Sequence, residues 1–421
     1  MMHVMLTADC KEGLKEKLGN LCSHAEQWQQ PEYRMAAAGN GSCRLAFVAE
    51  TEAEAAEKSA LALELLEQEE KTFWVQKEIA YSEVSMKEGA RVAVMFPGQG
   101  TQQAGMLKEL AENCTEMKEA LALADQIMAE TGDRSISGLL YPDMEAEGAL
   151  AEAEAALQKT NYTQPALAAT DAGLYQLACS RGLQADCLMG HSFGELAALW
   201  AEGVYDMETF FRLSRERGKA MSRTQENTGM MAVMTDREKV QEAAAAYEHV
   251  FVANANSPKQ TVVSGDAGEI AELEKSLKAQ KIRGVKLKVS GAFHSPYMKE
   301  AADEFRSFMN GCPMEASKGS VIANCTGTYY PAESADEVRD LLEQQLLQPV
   351  LFVDSIKKAY ADGVRVFVEV GNGKVLGNLI KDILPEQDYE VIPLCPEKNK
   401  SSEVQFEWAM ARLAVLGVLA Y

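Results

Sequence analysis

A serine between two glycines is the residue of this sequence with the clearest potential for chemistry. Residues 188–195 read L-M-G-H-S-F-G-E, which places Ser192 in G-x-S-x-G spacing. A short apolar run precedes the motif, and the helix-forming residues L-A-A-L follow it. A strand, a sharp turn and a helix in this order form a nucleophile elbow: the turn exposes the serine oxygen, and the helix N-terminus stabilises negative charge that develops beside it. The pattern predicts that Ser192 is a catalytic nucleophile; the alternative is a polar residue in a turn.

A serine hydroxyl needs a base to become a nucleophile, and histidine is the first side chain to consider. The chain has five: His3, His24, His191, His249 and His294. His191 adjoins Ser192, and neighbouring side chains diverge on a sharp turn. His249 is expected to end a helix as a surface or capping residue, and the first two lie in the amino-terminal part of the chain. By elimination, His294 in the loop G-A-F-H-S-P is the predicted base.

An oxyanion formed during the reaction needs preorganised N–H donors. One is expected from Phe193, directly after the nucleophile, and another from the turn P-G-Q-G at residues 97–100. A second glycine cluster, within residues 371–377, superficially suggests dinucleotide binding. Its third glycine stands one place late and too little chain follows it, so a nucleotide site is not predicted.

The composition of the chain limits the kinds of partner that it can bind. The 421 residues carry a formal net charge of −22, from 63 acidic and 41 basic side chains, which argues against nucleic acid. Nine scattered cysteines without a C-x-x-C pair favour reduced thiols in a cytosolic protein and argue against a metal site. The longest late apolar run, residues 413–421, is shorter than the roughly 20 residues that cross a bilayer. We therefore expect a cytoplasmic protein with no membrane partner.

Short apolar runs that end in glycine turns predict the strands that position the site. They lie at residues 92–96, 187–189 and 364–370. Because buried parallel strands have continuous apolar sequences, and helical stretches alternate with these runs, the fold class predicted is α/β with a parallel sheet.

Two further units are predicted around this sheet. Strand-like residues 2–6 and 44–49, with helices from Lys11 and Glu52, predict a small αβ module that ends in a charged connector, residues 82–91. A later segment has two strand-like stretches, residues 230–234 and 261–264, each followed by a helical stretch, and predicts an inserted subdomain. The predicted boundaries are residues 1–88 for the module, 89–227 with 290–400 for the main domain, 228–289 for the insert and 401–421 for a C-terminal helix or linker.

Eight motifs in order resemble the malonyl-CoA:acyl-carrier-protein transacylase family. They are F-P-G-Q-G (96–100), T-Q-P-A-L (163–167), G-H-S-F-G-E (190–195), R-G-K-A-M (217–221), N-S-P-K-Q-T-V-V-S-G (256–265), G-A-F-H-S-P (291–296), Q-L-L-Q-P-V (345–350) and V-E-V-G (368–371). Within the family, the chain resembles acyltransferase domains of iterative, enediyne-type polyketide synthases and of polyunsaturated fatty acid synthases. The first module resembles their linker between ketosynthase and acyltransferase. The resemblance implies an α/β-hydrolase-like core with a ferredoxin-like insert.

The resemblance also implies a reaction and its residues. Ser192 would be acylated by malonyl-CoA in a ping-pong mechanism and would pass malonyl to the phosphopantetheine thiol of an acyl carrier protein, with no cofactor. His294 would act as general base and acid, and the amides of Gln99 and Phe193 would form the oxyanion hole. The remaining implied roles are a clamp on the malonyl carboxylate for Arg217, orientation of the histidine for Gln345, and a choice of malonyl over methylmalonyl for Phe293. A ketosynthase or larger synthase is a further implied partner.

Two other functions stay open at this point. An acyl hydrolase that clears carrier proteins would use the same serine and histidine, but its relatives typically lack the arginine at position 217. A non-catalytic docking domain would need neither Ser192 nor His294. One departure from the family, Gly291 where many synthase domains have histidine or tyrosine, bears on the choice of extender unit.

Overall fold

The computed structural model describes residues 2–30, 41–83, 89–223, 226–289 and 291–420. Within these ranges the strands form three sheets. The predicted charged connector falls partly outside the described residues, which omit 84–88.

The first sheet is antiparallel, with strand order β1-β2-β4-β3. Its strands are β1 (Met2–Ala8), β2 (Cys43–Ala49), β3 (Phe73–Gln76) and β4 (Ile79–Ser82). The sequence predicts only β1 and β2. The hairpin of β3 and β4 turns through Lys77 and Glu78, both with positive φ (48° and 59°). Because such turns usually contain asparagine, aspartate or glycine, this hairpin carries no sequence signal.

Each face of the first sheet packs against a different part of the molecule. Leu45 and Phe47 pack with helices α1 (Lys11–Ser23) and α2 (Glu52–Gln68). Ala46 and Val48, which alternate with them on β2, belong instead to the main core, where helix α16 (Ser402–Leu416) contacts β1, β2 and β4. The alternation follows from the two-residue period of a strand. The last helix therefore packs against both the first sheet and the rest of the chain.

The central sheet confirms the predicted parallel α/β architecture. Its strands are β5 (Arg91–Phe96), β6 (Cys187–Gly190), β11 (Val321–Ile322), β12 (Val364–Asn372) and β13 (Glu390–Cys395), in the order β11-β6-β5-β12-β13. All neighbouring pairs are parallel. Val94 on β5 packs into one hydrophobic cluster and Met95 into another, on the opposite face. Because both faces of the strand are buried, the residues that point to either face must be apolar. This explains the continuous apolar run in the sequence.

Helices cover both faces of the central sheet. They are α3 (Lys108–Asn113), α4 (Thr115–Ala129), α5 (Ile136–Leu140), α6 (Ala149–Leu157), α7 (Thr160–Ser180), α8 (Gly194–Glu202), α9 (Met207–Met221), α12 (Lys299–Met309), α13 (Ala335–Leu347), α14 (Phe352–Ala361) and α15 (Val375–Ile383). Asp206 caps the N-terminus of α9, where its carboxylate accepts the N–H of Thr209, and a capping box of Ser334 and Glu337 precedes α13. No helix among the described residues is both long and apolar enough to cross a membrane.

The inserted segment forms a third, antiparallel sheet, where the sequence predicts two strands and the structure has four. They are β7 (Thr228–Val233), β8 (Val250–Ser257), β9 (Gln260–Asp266) and β10 (Gly284–Lys286), in the order β10-β7-β9-β8, with helices α10 (Arg237–Ala244) and α11 (Ala267–Ala279). Strand β8 was missed because its second half, A-N-A-N-S, has low β-propensity. Residues 287–289 follow β10 without belonging to it.

One carboxylate in the core is unpaired. Asp171, in the middle of α7, is fully buried, and neither of its oxygens has a hydrogen-bond partner among the described residues. A Cβ atom on Gly371 would lie 3.0 Å from its Oδ1, so the strand end packs directly on the carboxylate. Burial, and then the negative charge of Glu369, raise the pKa of Asp171 well above its ordinary value.

Replacing Asp171 by asparagine should stabilise the protein, and more so at high pH. A carboxylate with a raised pKa binds its proton more tightly in the folded state, so the free energy of unfolding falls as pH rises above the ordinary pKa, by about 1.4 kcal/mol per pH unit until the folded pKa is reached. Urea denaturation at pH 5 and pH 8 measures this. We expect the gain of Asp171→Asn over wild type to be larger at pH 8, while the exposed Asp388→Asn changes stability little at either pH. Equal gains at both pH values would contradict the assignment.

Candidate active site

The G-x-S-x-G motif forms the turn between β6 and α8. Ser192 has φ = 54°, in the left-handed region. A Cβ atom on Gly190 would lie 1.9 Å from the carbonyl carbon of Gly194, and one on Gly194 would lie 2.0 Å from the carbonyl oxygen of Phe96. Both glycines are therefore required by the close approach of three backbone segments, and the turn presents Ser192 at the end of the strand.

An asparagine just after the neighbouring strand holds this turn. The side-chain oxygen of Asn324 accepts the N–H of Ser192 at 2.7 Å, and its amide donates to the carbonyl of Gly190, also at 2.7 Å. Asn324 follows β11, which pairs with β6, so the sheet brings the two segments together. This residue could not be predicted from the sequence, because a lone asparagine 132 positions away gives no signal.

The serine contacts the histidine that the sequence predicts. Ser192 Oγ lies 2.8 Å from His294 Nε2, and His294 Nδ1 lies 2.8 Å from the backbone carbonyl oxygen of Gln345. A carbonyl can only accept, so Nδ1 carries the proton and Nε2 presents its lone pair to the serine hydroxyl. Burial, followed by the positive charge of Arg217, lowers the pKa of His294 to about 3. The imidazole is therefore neutral at physiological pH and able to accept a proton.

The other histidines lie elsewhere. His191 Nε2 is 2.8 Å from Asn256 Oδ1, and its ring packs edge-on against Phe352. His249 is exposed and precedes β8, so the expectation that it ends a helix was wrong. His3 lies in β1 and His24 directly follows α1. Of the described histidine side chains, His294 is the one that contacts Ser192.

Gln345 joins several parts of the site through its side chain. Its amide nitrogen donates to the carbonyl of Ser192 at 2.6 Å and to Glu195 Oε2 at 2.9 Å. Its amide oxygen accepts from Arg217 Nη2 at 2.8 Å. The predicted contact of Gln345 with His294 is made by its backbone carbonyl, which a residue of any type could provide. The three side-chain hydrogen bonds explain why this residue is a glutamine.

Arg217 is a buried cation with spare donors. The side chain projects from α9, is fully buried, and has no carboxylate partner among the described residues. Its Nε and Nη1 atoms also lack hydrogen-bond partners there. Burial lowers the pKa of Arg217 to about 10, against the opposing effect of the negative charge of Glu195. The guanidinium thus remains charged at neutral pH, with donors free for a further acceptor.

Glu195, for which the sequence predicts no role, is completely buried on the first turn of α8. Its Oε1 accepts from the hydroxyl of Tyr330, and its Oε2 accepts from the backbone N–H of Asn324 at 3.2 Å and from Gln345. Burial raises the pKa of Glu195 to about 7, although these hydrogen bonds and the charge of Arg217 oppose the rise. The one signal for it in the sequence is a glutamate directly before the apolar run L-A-A-L-W-A at residues 196–201.

A cavity of about 360 Å³ opens in front of Ser192 and His294. The turn at residues 97–101 and Phe293 line it from the main part of the chain, and strands β7, β8 and β9 line it from the inserted sheet. The backbone N–H groups of Gln99 and Phe193 have no hydrogen-bond acceptor among the described residues. Such an arrangement can activate a hydroxyl for attack on a carbonyl and can donate to the resulting oxyanion. Within the described chain, no cluster of three metal-binding side chains is present.

Comparisons with known proteins identify the family of the chain. Residues 94–420 match the family described as the acyl transferase domain. A malonyl CoA-acyl carrier protein transacylase of Synechocystis sp. is 32% identical over 311 residues, which cover 73% of this chain and 99% of that protein. One of the subunits of the polyunsaturated fatty acid synthase of Thraustochytrium sp. is 30% identical over 344 residues, which cover 79% of this chain and 12% of that much longer protein.

Similarity of fold extends over nearly the whole chain. The solved structure of the acyl transferase domain of ZmaA has a TM-score of 0.83 at 23% identity and covers 99% of this chain and 94% of that one. The similarity therefore includes the first sheet as well as the central and inserted sheets.

Proposed function

The chain belongs to the acyl transferase family, as its motifs predicted, and on that premise we propose that it transfers malonyl from malonyl-CoA to an acyl carrier protein. The observation that carries this proposal is the contact of 2.8 Å between Ser192 Oγ and His294 Nε2 at the base of an open cavity. The acceptor is the phosphopantetheine thiol of the carrier protein.

In the first half-reaction, Ser192 is acylated. His294 Nε2 takes the hydroxyl proton as Oγ attacks the thioester carbonyl of malonyl-CoA. The N–H groups of Gln99 and Phe193 donate to the oxyanion. As the tetrahedral intermediate breaks down, the C–S bond cleaves and the coenzyme A thiolate leaves with the proton from His294, so that malonyl remains as an ester on Ser192.

In the second half-reaction, the carrier protein takes the malonyl group. Its thiol gives a proton to His294, and its sulfur attacks the ester carbonyl at the same oxyanion position. The C–O bond cleaves, and Ser192 recovers its proton from His294. Both halves use the same groups in opposite order, and neither uses a cofactor or metal.

We propose that Arg217 binds the free carboxylate of the malonyl group. A guanidinium matches a carboxylate in shape and charge, and two of its three nitrogens have no partner among the described residues. An acetyl group carries no carboxylate and would leave these donors unpaired. The arginine therefore favours malonyl over neutral acyl groups.

Arg217→Ala should invert this preference. Malonyl loses a charge-assisted contact of about 1.5 to 3 kcal/mol, whereas acetyl no longer meets an unpaired buried cation. Competitive loading from malonyl-CoA and acetyl-CoA, scored as the ratio of the two adducts on Ser192, measures the change, since specificity is a ratio of kcat/KM values. The control is Arg212→Ala on the same helix, whose side chain pairs with Glu130 on the surface. An unchanged ratio in Arg217→Ala would assign the substrate carboxylate to another group.

Phe293 is proposed to limit the extender unit. The side chain is 7% exposed, precedes the base and lines the cavity beside Ser192. A methyl branch on the malonyl group would need the room that this ring occupies. Phe293 therefore supports malonyl over methylmalonyl as the substrate.

We further propose the domain boundaries given by the sequence, with an α/β-hydrolase-like main domain (89–227 and 290–400) and a ferredoxin-like insert (228–289). The element order β-α-β-β-α-β of the insert supports the latter. Residues 1–88 would join the chain to a ketosynthase or larger synthase. A cytoplasmic setting suits the nine cysteines, all of them free thiols.

A further inference from the structure

Glu195 connects parts of the site that are distant in sequence. Its Oε2 accepts from Asn324, which holds the turn of Ser192, and from Gln345, whose backbone carbonyl receives the proton of His294 Nδ1. The carboxylate of Glu195 is therefore linked to the nucleophile through Asn324 and to the base through Gln345.

Glu195 also interacts electrostatically with Arg217. The amide of Gln345 lies between them: its nitrogen donates to Glu195 and its oxygen accepts from Arg217. Arg217 has no carboxylate partner within the described chain. The side-chain amide of Gln345 therefore links it to the negative charge of Glu195. A buried charge without compensation is costly, and Glu195 reduces that cost in the unloaded enzyme.

We propose that Glu195 is a positioning residue that balances the charge of Arg217 until the substrate carboxylate arrives, and that it thereby tunes the preference for malonyl. This inference rests on the proposed function. When malonyl enters, two carboxylates share one guanidinium. Their repulsion opposes loading as long as Glu195 is ionised, and protonation of Glu195 removes it.

Loading of malonyl should depend on pH. Since the pKa of Glu195 is raised to about 7, lowering the pH from 8 to 6 neutralises this carboxylate and leaves Arg217 free for malonyl. The ratio of malonyl to acetyl loading should therefore rise as pH falls through 7. Malonyl binding would in turn favour uptake of a proton by Glu195.

The other titratable groups around Glu195 do not change state in this range. Burial raises the pKa of Tyr330 and of Tyr205 well above the ordinary value, and that of Cys325 to about 12. Arg217, with a pKa of about 10, stays charged, and His294, with a pKa of about 3, stays neutral.

Glu195→Gln removes the negative charge while it keeps the hydrogen bonds. The amide oxygen can occupy the position of Oε2 and accept from Asn324 and Gln345, while the NH₂ group donates to the Tyr330 hydroxyl, which is able to accept. The matched control, Tyr330→Phe, removes one hydrogen bond and keeps a carboxyl group that can ionise, with its pKa raised further because that hydrogen bond favours the ionised form.

The experiment is competitive loading of the full chain with malonyl-CoA and acetyl-CoA at pH 6, 7 and 8, with both adducts on Ser192 quantified by mass spectrometry. In wild type, we expect the malonyl-to-acetyl ratio to rise by up to roughly tenfold from pH 8 to pH 6, because the protonated fraction of a group with a pKa of about 7 rises by about that factor over this range. In Tyr330→Phe the rise should move to higher pH, because loss of a hydrogen bond that lowers the pKa of Glu195 raises that pKa. In Glu195→Gln the ratio should be high and independent of pH.

Each outcome either supports or overturns the role proposed for Glu195. A flat wild-type ratio overturns the inference even if no variant folds, and so does a pH-dependent ratio that Glu195→Gln retains. If malonyl never appears on wild-type Ser192, the proposed function fails and this inference fails with it. Malonyl loading with a flat ratio overturns the inference alone.

Discussion

Ser192→Ala should abolish the acyl-enzyme and reduce malonyl transfer by a factor on the order of 10⁴ or more, as expected when a nucleophile is removed. The variant lacks the one oxygen that His294 can activate, because the hydroxyl lies 2.8 Å from Nε2. The substitution removes no core volume, so the fold should persist. Intact-mass measurement after exposure to malonyl-CoA, together with a thermal unfolding scan, tests both statements.

The control for this variant is Ser180→Ala, at the exposed end of α7, which should load malonyl as wild type does. A malonyl adduct that persists in Ser192→Ala would place the nucleophile elsewhere.

His294→Ala should slow acylation of Ser192 by about 10² to 10⁴, the usual contribution of a positioned general base. Serine stays in place in this variant, but its proton has no acceptor at Nε2. Single-turnover measurement of adduct formation separates this step from substrate binding.

His191→Ala provides the comparison, since His191 adjoins Ser192 in the sequence but bonds to Asn256. Its effect on acylation should be far smaller. If His191→Ala lost as much activity as predicted for His294→Ala, and His294→Ala did not, the base would be wrongly assigned.

The parts of the fold that could be predicted from sequence are those where local packing restricts residue type. Buried parallel strands such as β5 must be apolar on both faces, and Gly190 and Gly194 must be glycine because backbone atoms come within about 2 Å of a Cβ position. His294 could be found because few histidines compete for the role.

What could not be predicted depends on contacts between distant segments. Asn324 and Tyr330 lie 132 and 135 positions from the residues that they bond, and nothing local marks them. The backbone carbonyl of Gln345 orients His294, and any residue has a carbonyl. The inserted strand β8 was missed because its asparagines face the cavity, where the needs of the site outweigh β-propensity.

We propose above all that malonyl passes through Ser192 to a carrier protein. Intact-mass measurement of the wild-type chain, first with malonyl-CoA and then with a phosphopantetheinylated carrier protein, tests it most directly. We predict a malonyl adduct on Ser192 that is stable in buffer and moves to the carrier protein when that protein is added. Rapid loss of the adduct to water without a carrier would indicate a hydrolase, and failure to form any adduct would indicate a docking domain; either result would contradict the account.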